Sequence, residues 1–289
     1  MISSMKKITI FGATGMLGRP VVQALVAAGF EVTALVRNPE KAKDTLPVSV
    51  KLIEGGLEDK DAIRRALEGA EGVYLNLSFE QNARPTDFIG ERDGLQNILS
   101  VVKEYPIRRI AYLSSIIQAY EGFRWWIFDW KREAVRLIKS ANIPYTIFYP
   151  SNFMETLPGR MTQNNRLLLA GTPKVKNYWI AGYDYGRQVV RSFQKLTSEN
   201  REYVVQGPEA LTVDEGAEIY RTNHPNRKLK TVKLPLWVLK FAGIFSAQAN
   251  YGYHVVKSMI EHPEPFQAQN TWAELGTPTI TLKQFAQEG

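Results

Sequence analysis

The chain has 289 residues, 44% hydrophobic and 22% charged, a balance that fills a globular core and excludes a disordered or fibrous protein. No cysteine occurs, so disulfide and thiolate chemistry are excluded, and none of the three histidines, His224, His254 and His262, sits in a metal-ligand pattern, so no metal is expected. The formal charge of +7 suits an anionic ligand, yet the basic residues are scattered, and no nucleic-acid partner is expected.

Lys7 to Phe11 is apolar and β-branched and reads as a buried strand; behind it come three glycines, Gly12, Gly15 and Gly18, and then Leu17, Val21 and Leu25 recur at helical spacing up to Gly29. Glu31 to Asn38 is a second strand, with Pro39 opening a short polar helix. "VSVKLIEGG" gives a third strand and "DKDAIRRALEG" a helix with Ile63, Ala66 and Leu67 on one face. Gly72 to Ser78 is the fourth strand, and the polar loop "FEQNARPTDFIGERDG" leads to a helix from Leu95 to Lys103. Arg108 to Ser115 is the fifth strand. Helical periodicity returns at Trp130 to Ser140, with Ala134, Leu137 and Ile138 inward, and "IPYTIFYPSNF" then makes a strand ending in Pro150.

Beyond Phe153 the alternation weakens. "REYVVQG" reads as a strand, "TVDEGAEIYRTN" as a helix capped by Thr212 with Glu215 three positions on, and the remainder as irregular. "LPLWVLKFAGIF", Leu234 to Phe245, is too short to span a bilayer and is interrupted by Lys240; it reads as a core or interface helix, or else as a membrane-surface contact or substrate lid. The start of the chain carries no apolar stretch of signal-peptide length, so a cytoplasmic protein is expected. Repeated βα units predict an α/β doubly wound, Rossmann-type parallel sheet with helices on both faces. Residues 1–153 form the expected nucleotide-binding domain, and 154–289 a smaller substrate lobe interleaved with the end of the sheet.

A strand, a glycine-rich turn and an amphipathic helix together make an anion seat, because phosphate reaches the helix amides only where side chains do not obstruct them. About 20 residues further on, an acid would bond a ribose 2′-hydroxyl, whereas an arginine pairs with a 2′-phosphate. Arg37 stands there with no acid before Glu40, favouring NADP(H) over NAD(H), unless it is only a solvated strand-end arginine.

The spacing in "GATGMLG" resembles the NmrA-like branch of the atypical short-chain dehydrogenases/reductases. "LVRNPEKA", "ALEGAEGVYLNLS", "RRIAYLSS" and "KREAVRLIKSANIPYTIFYPSNFMET" extend the resemblance over residues 6–156, and "QGPEALTVDEGAEIY" continues it more loosely. It implies a cofactor held by Gly12, Thr14, Gly15, Met16, Leu17 and Gly18, with Asn76 and Leu77 flanking its ribose and Leu57 over the adenine. Ser114, Lys131, Tyr149, Pro150, Asn152 and Phe153 complete the implied contacts. Gly56 replaces an aspartate that related proteins often have, and Tyr149 an arginine.

The superfamily's usual chemistry sets a tyrosine four residues before a lysine, the lysine lowering the tyrosine's pKa. Lys131 matches the lysine, but Ile127 stands in the tyrosine's place. Lys131 then acts alone as a proton relay, Tyr120 swings in, or cofactor binds without turnover; a plain exposed helix lysine is the bland alternative. Ser114 and Ser115 either orient a substrate oxygen or simply end a strand. "FRWWIFDWK" supplies an apolar pocket or lid, core packing, or a homodimer interface. A reductase acting on a small apolar or aromatic carbonyl, enone or quinone is the first reading. A cofactor sensor with a protein partner is the second, and an assembly role the third.

Overall fold

The computed structural model describes residues 5–120, 123–195, 198–226 and 228–288. Strands β1 (Lys7–Phe11), β2 (Glu31–Val36), β3 (Lys51–Glu54), β4 (Gly72–Leu75), β5 (Arg109–Leu113) and β6 (Tyr145–Pro150) alternate with α1 (Gly18–Ala27), α2 (Pro39–Lys43), α3 (Lys60–Leu67), α4 (Leu95–Val102) and α5 (Trp126–Lys139). Next come β7 (Asn152–Phe153), β8 (Thr162–Gln163), β9 (Arg166–Ala170), β10 (Asn177–Ile180), α6 (Gly182–Gln194), β11 (Arg201–Val205), β12 (Glu209–Leu211) and α7 (Val213–Asn223). β13 (Lys230–Leu234), α8 (Leu236–Ala242), α9 (Ala247–Glu261), α10 (Gln269–Leu275) and α11 (Leu282–Glu288) end the chain.

Seven strands form one sheet in the order β11-β6-β5-β4-β1-β2-β3, every neighbouring pair parallel. Strands covered on both faces must be apolar almost throughout, and all residues of β4 and β5 are buried. One face is covered by α1 and α6 through Val21, Leu25, Tyr185, Val189 and Phe193. The other is covered by α3, α4 and α5 through Ile63, Leu67, Ile98, Val102, Ala134 and Ile138. This is the doubly wound architecture expected from the alternation. Between β1 and β4 the strand order reverses, and their carboxyl ends diverge into the crevice where such sheets bind ligands.

After β6 the chain leaves the sheet for a second core around Trp179, Tyr220, Leu167 and Leu282, built on two three-stranded sheets, β12-β10-β7 and β13-β9-β8. Thr212 and Glu215 form the expected capping box of α7. Two sequence readings need correction. α5 begins at Trp126, four residues before the periodicity shows it, because its first turn joins an aromatic cluster and is apolar on several sides. The remainder beyond Phe153 is not irregular: it supplies β8 to β10 and the sheet-covering helix α6, and beyond α7 it is largely helical, where α9 buries only Ser258 and Ile260 and so carries no clean apolar stripe, and α8 buries no residue at all. The core reading of Leu234–Phe245 is thereby excluded.

Candidate functional site

At the end of β1 the backbone turns through Gly12 with φ +89°, and Asn76, following β4, lies against it. A Cβ at Gly12 would stand 2.1 Å from the Asn76 carbonyl oxygen, and one at Gly18 2.1 Å from the Gly12 carbonyl oxygen. Both glycines are therefore required by the chain's own packing. Gly15 differs: its Cβ would meet only Asn76 Nδ2 and the Gly12 carbonyl, each at 3.4 Å, an ordinary contact. Exposed Gly15 thus leaves free the space that a pyrophosphate over the turn would need, so the turn fits a dinucleotide. Asn76 braces it by donating Nδ2–H to the Gly12 carbonyl at 3.0 Å.

A cavity of about 340 Å³ opens beside the turn, lined by Gly12, Thr14, Arg37, Gly56, Leu57 and Asn76 among others, with Leu77 also on its wall. Leu57 is fixed by Asn97, whose side chain donates to its carbonyl at 2.9 Å. Arg37 is 83% exposed and lies 3.9 Å from Glu80, itself 71% exposed, a pair that water screens almost completely. The Glu58 carboxylate folds over Gly56, where a Cβ would lie 2.2 Å from it. Neither Glu58 nor Glu80 is singled out by sequence reasoning, yet both line the cavity with Arg37.

On the far side of the turn, Met16 sits under Gly159, whose Cβ would come 2.9 Å from its sulfur, while half-buried Leu17 packs on the α1 side core. Pro150 ends β6, and Asn152 and Phe153 pair with Trp179 and Ile180. The Phe153 ring meets Tyr185 edge-on at 5.3 Å, and the Asn152 Nδ2 is buried with no hydrogen-bond partner among the described residues. Glu155 accepts the Gly182 N–H at 2.6 Å through Oε1, while its shielded Oε2 has no partner. Burial pushes this carboxyl up to about 7. Tyr149 turns to the sheet edge, donating its hydroxyl to Glu202 of β11 at 2.6 Å.

Lys131 lies one helical turn after buried Ile127 on α5. Its ammonium donates to both oxygens of Glu91, at 2.9 and 3.0 Å, and lies 5.9 Å from the Phe79 ring centroid. Glu91 is fully buried and also accepts the Tyr112 hydroxyl, whose pKa burial and the neighbouring carboxylate push well up. Ile89 and Gly90, just before Glu91, line the cavity. Glu91 escaped the sequence reading, since nothing in a polar loop marks one acid as the partner of a lysine 40 residues away. Ser114 is buried at the end of β5, and Ser115 caps the following turn by accepting the Ile117 N–H at 3.3 Å. Tyr120 is not brought to Lys131; its ring stacks on His262 at 4.6 Å, and burial raises its hydroxyl's pKa.

The tryptophan run divides its roles. Trp125 stacks on His254 at 4.8 Å and packs with Phe128 and Tyr251, while Trp126 meets Phe79 at 5.5 Å. Beside them lies a second cavity of about 330 Å³, which shares Ala83 with the first.

Residues 12–195 match the NAD(P)H-binding family. The chain belongs to that family. It is 26% identical over 212 residues to quinone oxidoreductase 2 of Escherichia coli, covering 71% of this chain and 70% of the relative. With the photosystem II assembly factor Ycf39 of Cyanophora paradoxa it shares 24% identity over 257 residues, 86% of this chain and 78% of the relative. Among solved structures, the NADPH-dependent quinone oxidoreductase of Escherichia coli complexed with NADPH superposes with a TM-score of 0.71 at 20% identity, covering 97% and 99% of the two chains. A nucleoside-diphosphate-sugar epimerase of Staphylococcus aureus gives 0.72 at 20%, over the same shares. These likenesses establish an atypical short-chain dehydrogenase-like fold with a nicotinamide dinucleotide as its ligand. Among the described residues no helix is long and apolar enough to cross a membrane, and no cluster of acids and histidines is suited to a metal.

Proposed function

We propose that the protein is an NADPH-dependent reductase of a small apolar or aromatic carbonyl, enone or quinone. The observation that carries this reading is the crevice between β1 and β4, where a glycine turn free of obstruction and the Arg37 guanidinium border one cavity. Its similarity to a quinone oxidoreductase supports the same direction. The amides of Gly12 to Gly18 hold the pyrophosphate, Arg37 the 2′-phosphate, Leu57 the adenine, and Asn76 and Leu77 the adjoining ribose. Pro150, Asn152 and Phe153 border the nicotinamide, with Ser114 behind them, while Tyr149, engaged with Glu202 at the sheet edge, takes no part.

The reduced nicotinamide, when bound, supplies a hydride. Lys131 donates a proton from Nζ to the substrate oxygen that becomes the hydroxyl, and regains it from solvent. Glu91 fixes the ammonium in direction, using two of its hydrogens and leaving the third for substrate. A tryptophan-lined wall beside the nucleotide cavity suits an apolar substrate. NADPH consumption by the full chain, followed against a panel of quinones, enones and aldehydes, tests this. Consumption that depends on one of them is expected.

One observation favours a second reading, a cofactor-dependent sensor or assembly protein. Ile127 has replaced the usual proton donor, and Lys131 is already neutralised by a buried acid. Similarity to an assembly factor points the same way. Tight NADPH binding with no consumption against the whole panel would favour it.

A further inference from the structure

α8 and the turn after it form an apolar face that the chain leaves bare. Trp237 is 68% exposed, Phe241 61%, Ile244 71% and Phe245 80%, whereas large apolar side chains normally avoid water in such density. Spacing of four residues sets Trp237 and Phe241 on one side of the helix, and Ile244 follows in the turn after it. All three border a shallow hollow with Lys240, Tyr253 and His254.

The stretch of chain that carries this face is one-sided in charge. Between Glu218 and Glu261 the sequence contains no acid, while Lys228, Lys230, Lys233, Lys240 and Lys257 fall within that run. Lys233 pairs with Asp214 outside the run; Lys240 and Lys230 are exposed. A second copy of this chain docking by the same face would set lysines against lysines with no carboxylate of the run to pair them. The face therefore calls for an apolar surface rimmed by negative charge.

We propose that α8 is an interfacial anchor that seats the protein on a bilayer containing anionic lipid. Trp237, Phe241, Ile244 and Phe245 enter the boundary between headgroups and acyl chains, where indole and phenyl rings are favoured. Lys230 and Lys240 remain at headgroup level against lipid phosphates. A helix of seven residues lies in that plane and cannot cross the membrane. This inference is independent of whether the crevice turns over a substrate.

The test is co-sedimentation of the full chain with vesicles of phosphatidylcholine alone or mixed with phosphatidylglycerol, at low and high salt. Binding to the mixed vesicles at low salt is expected, weakening at least tenfold for Trp237→Ser/Phe241→Ser. Lys230→Ala and Lys240→Ala should each weaken it about fivefold. These positions are exposed, so the variants should retain the parent's melting temperature and NADPH affinity, both read on the same samples. Absence of binding to mixed vesicles overturns the proposal. So does binding that the aromatic variant leaves intact, which would mean that net charge alone attracts the lipid. A wild type that is dimeric in solution, binds no vesicles and becomes monomeric in the aromatic variant would make this face a self-interface instead.

Discussion

The glycine turn and Lys131 are joined by Ile89–Glu91, whose first two residues line the nucleotide cavity and whose third holds the lysine. At the turn, the chain leaves amides and space over Gly15 that its own atoms do not fill. At Lys131 the opposite holds: a buried carboxylate and a tyrosine hydroxyl already answer the charge. On the reductase reading proposed above, cofactor recognition is built in advance into the backbone, whereas proton chemistry has to be drawn from a group that the fold also uses for its own stability. The two ends should respond to mutation in different ways.

The largest contrast lies within the turn itself. Gly12→Ala forces a Cβ into a backbone carbonyl at a positive φ and should cost more than about 4 kcal/mol, visible as a collapse of the melting temperature. Gly15→Val meets no such obstacle and should fold normally, with circular dichroism near that of the parent, yet lose binding of both nicotinamide cofactors. If folded Gly15→Val binds NADPH as the parent does, the free space over the turn is not the pyrophosphate seat.

At the other end, stability and rate are entangled. Lys131→Met strands the Glu91 charge in the core and should destabilise by about 3 kcal/mol or more. In a reductase it should also lower turnover about 10²- to 10⁴-fold. Pairing it with Glu91→Gln removes the stranded charge, so the double variant should regain much of the lost stability while its turnover stays low. Recovery of rate along with stability would mean that Lys131 has a structural role only.

Arg37→Ala should act only on the nucleotide end. Losing a charge-assisted contact to a 2′-phosphate costs about 1.5–3 kcal/mol, roughly one to two decades in NADPH affinity, and should leave NADH nearly untouched. Equal weakening for both cofactors would move the arginine's role away from the 2′-phosphate.

What the sequence reveals follows the range of the interaction. The βα alternation, the glycine turn and the Thr212 cap are encoded within a few residues of themselves, and each is read directly. Parallel strands buried on both faces announce themselves as apolar runs. The Lys131–Glu91 pair, the return of β11 to the edge beyond β6 and the bracing of Gly12 by Asn76 join residues far apart in the chain, and no local pattern marks them. α8 is the instructive case. Its apolar stretch is plain in sequence, but whether such a stretch is covered depends on what the rest of the chain lays over it.

The smallest effect sharpens the contrast by placing a titrating group beside the turn. Glu155 is held against the start of α6, where a Cβ on Gly182 would touch both its Oε1 at 2.7 Å and Pro20 of α1 at 2.8 Å. Burial raises its pKa from 4.5 to about 7, so the folded protein binds this proton more tightly than the unfolded chain does. Stability from that proton is fully present below 4.5 and is lost as pH rises through about 7. Above that range the folded state must carry a buried carboxylate with one oxygen unpartnered. Glu155→Gln keeps an acceptor for the Gly182 N–H and cannot ionise. Its melting temperature should track the parent's in acid and exceed it increasingly as pH climbs through neutrality. Parallel curves across that window would show that Glu155 is ionised in the fold at no cost and that the shielding of Oε2 has no energetic weight.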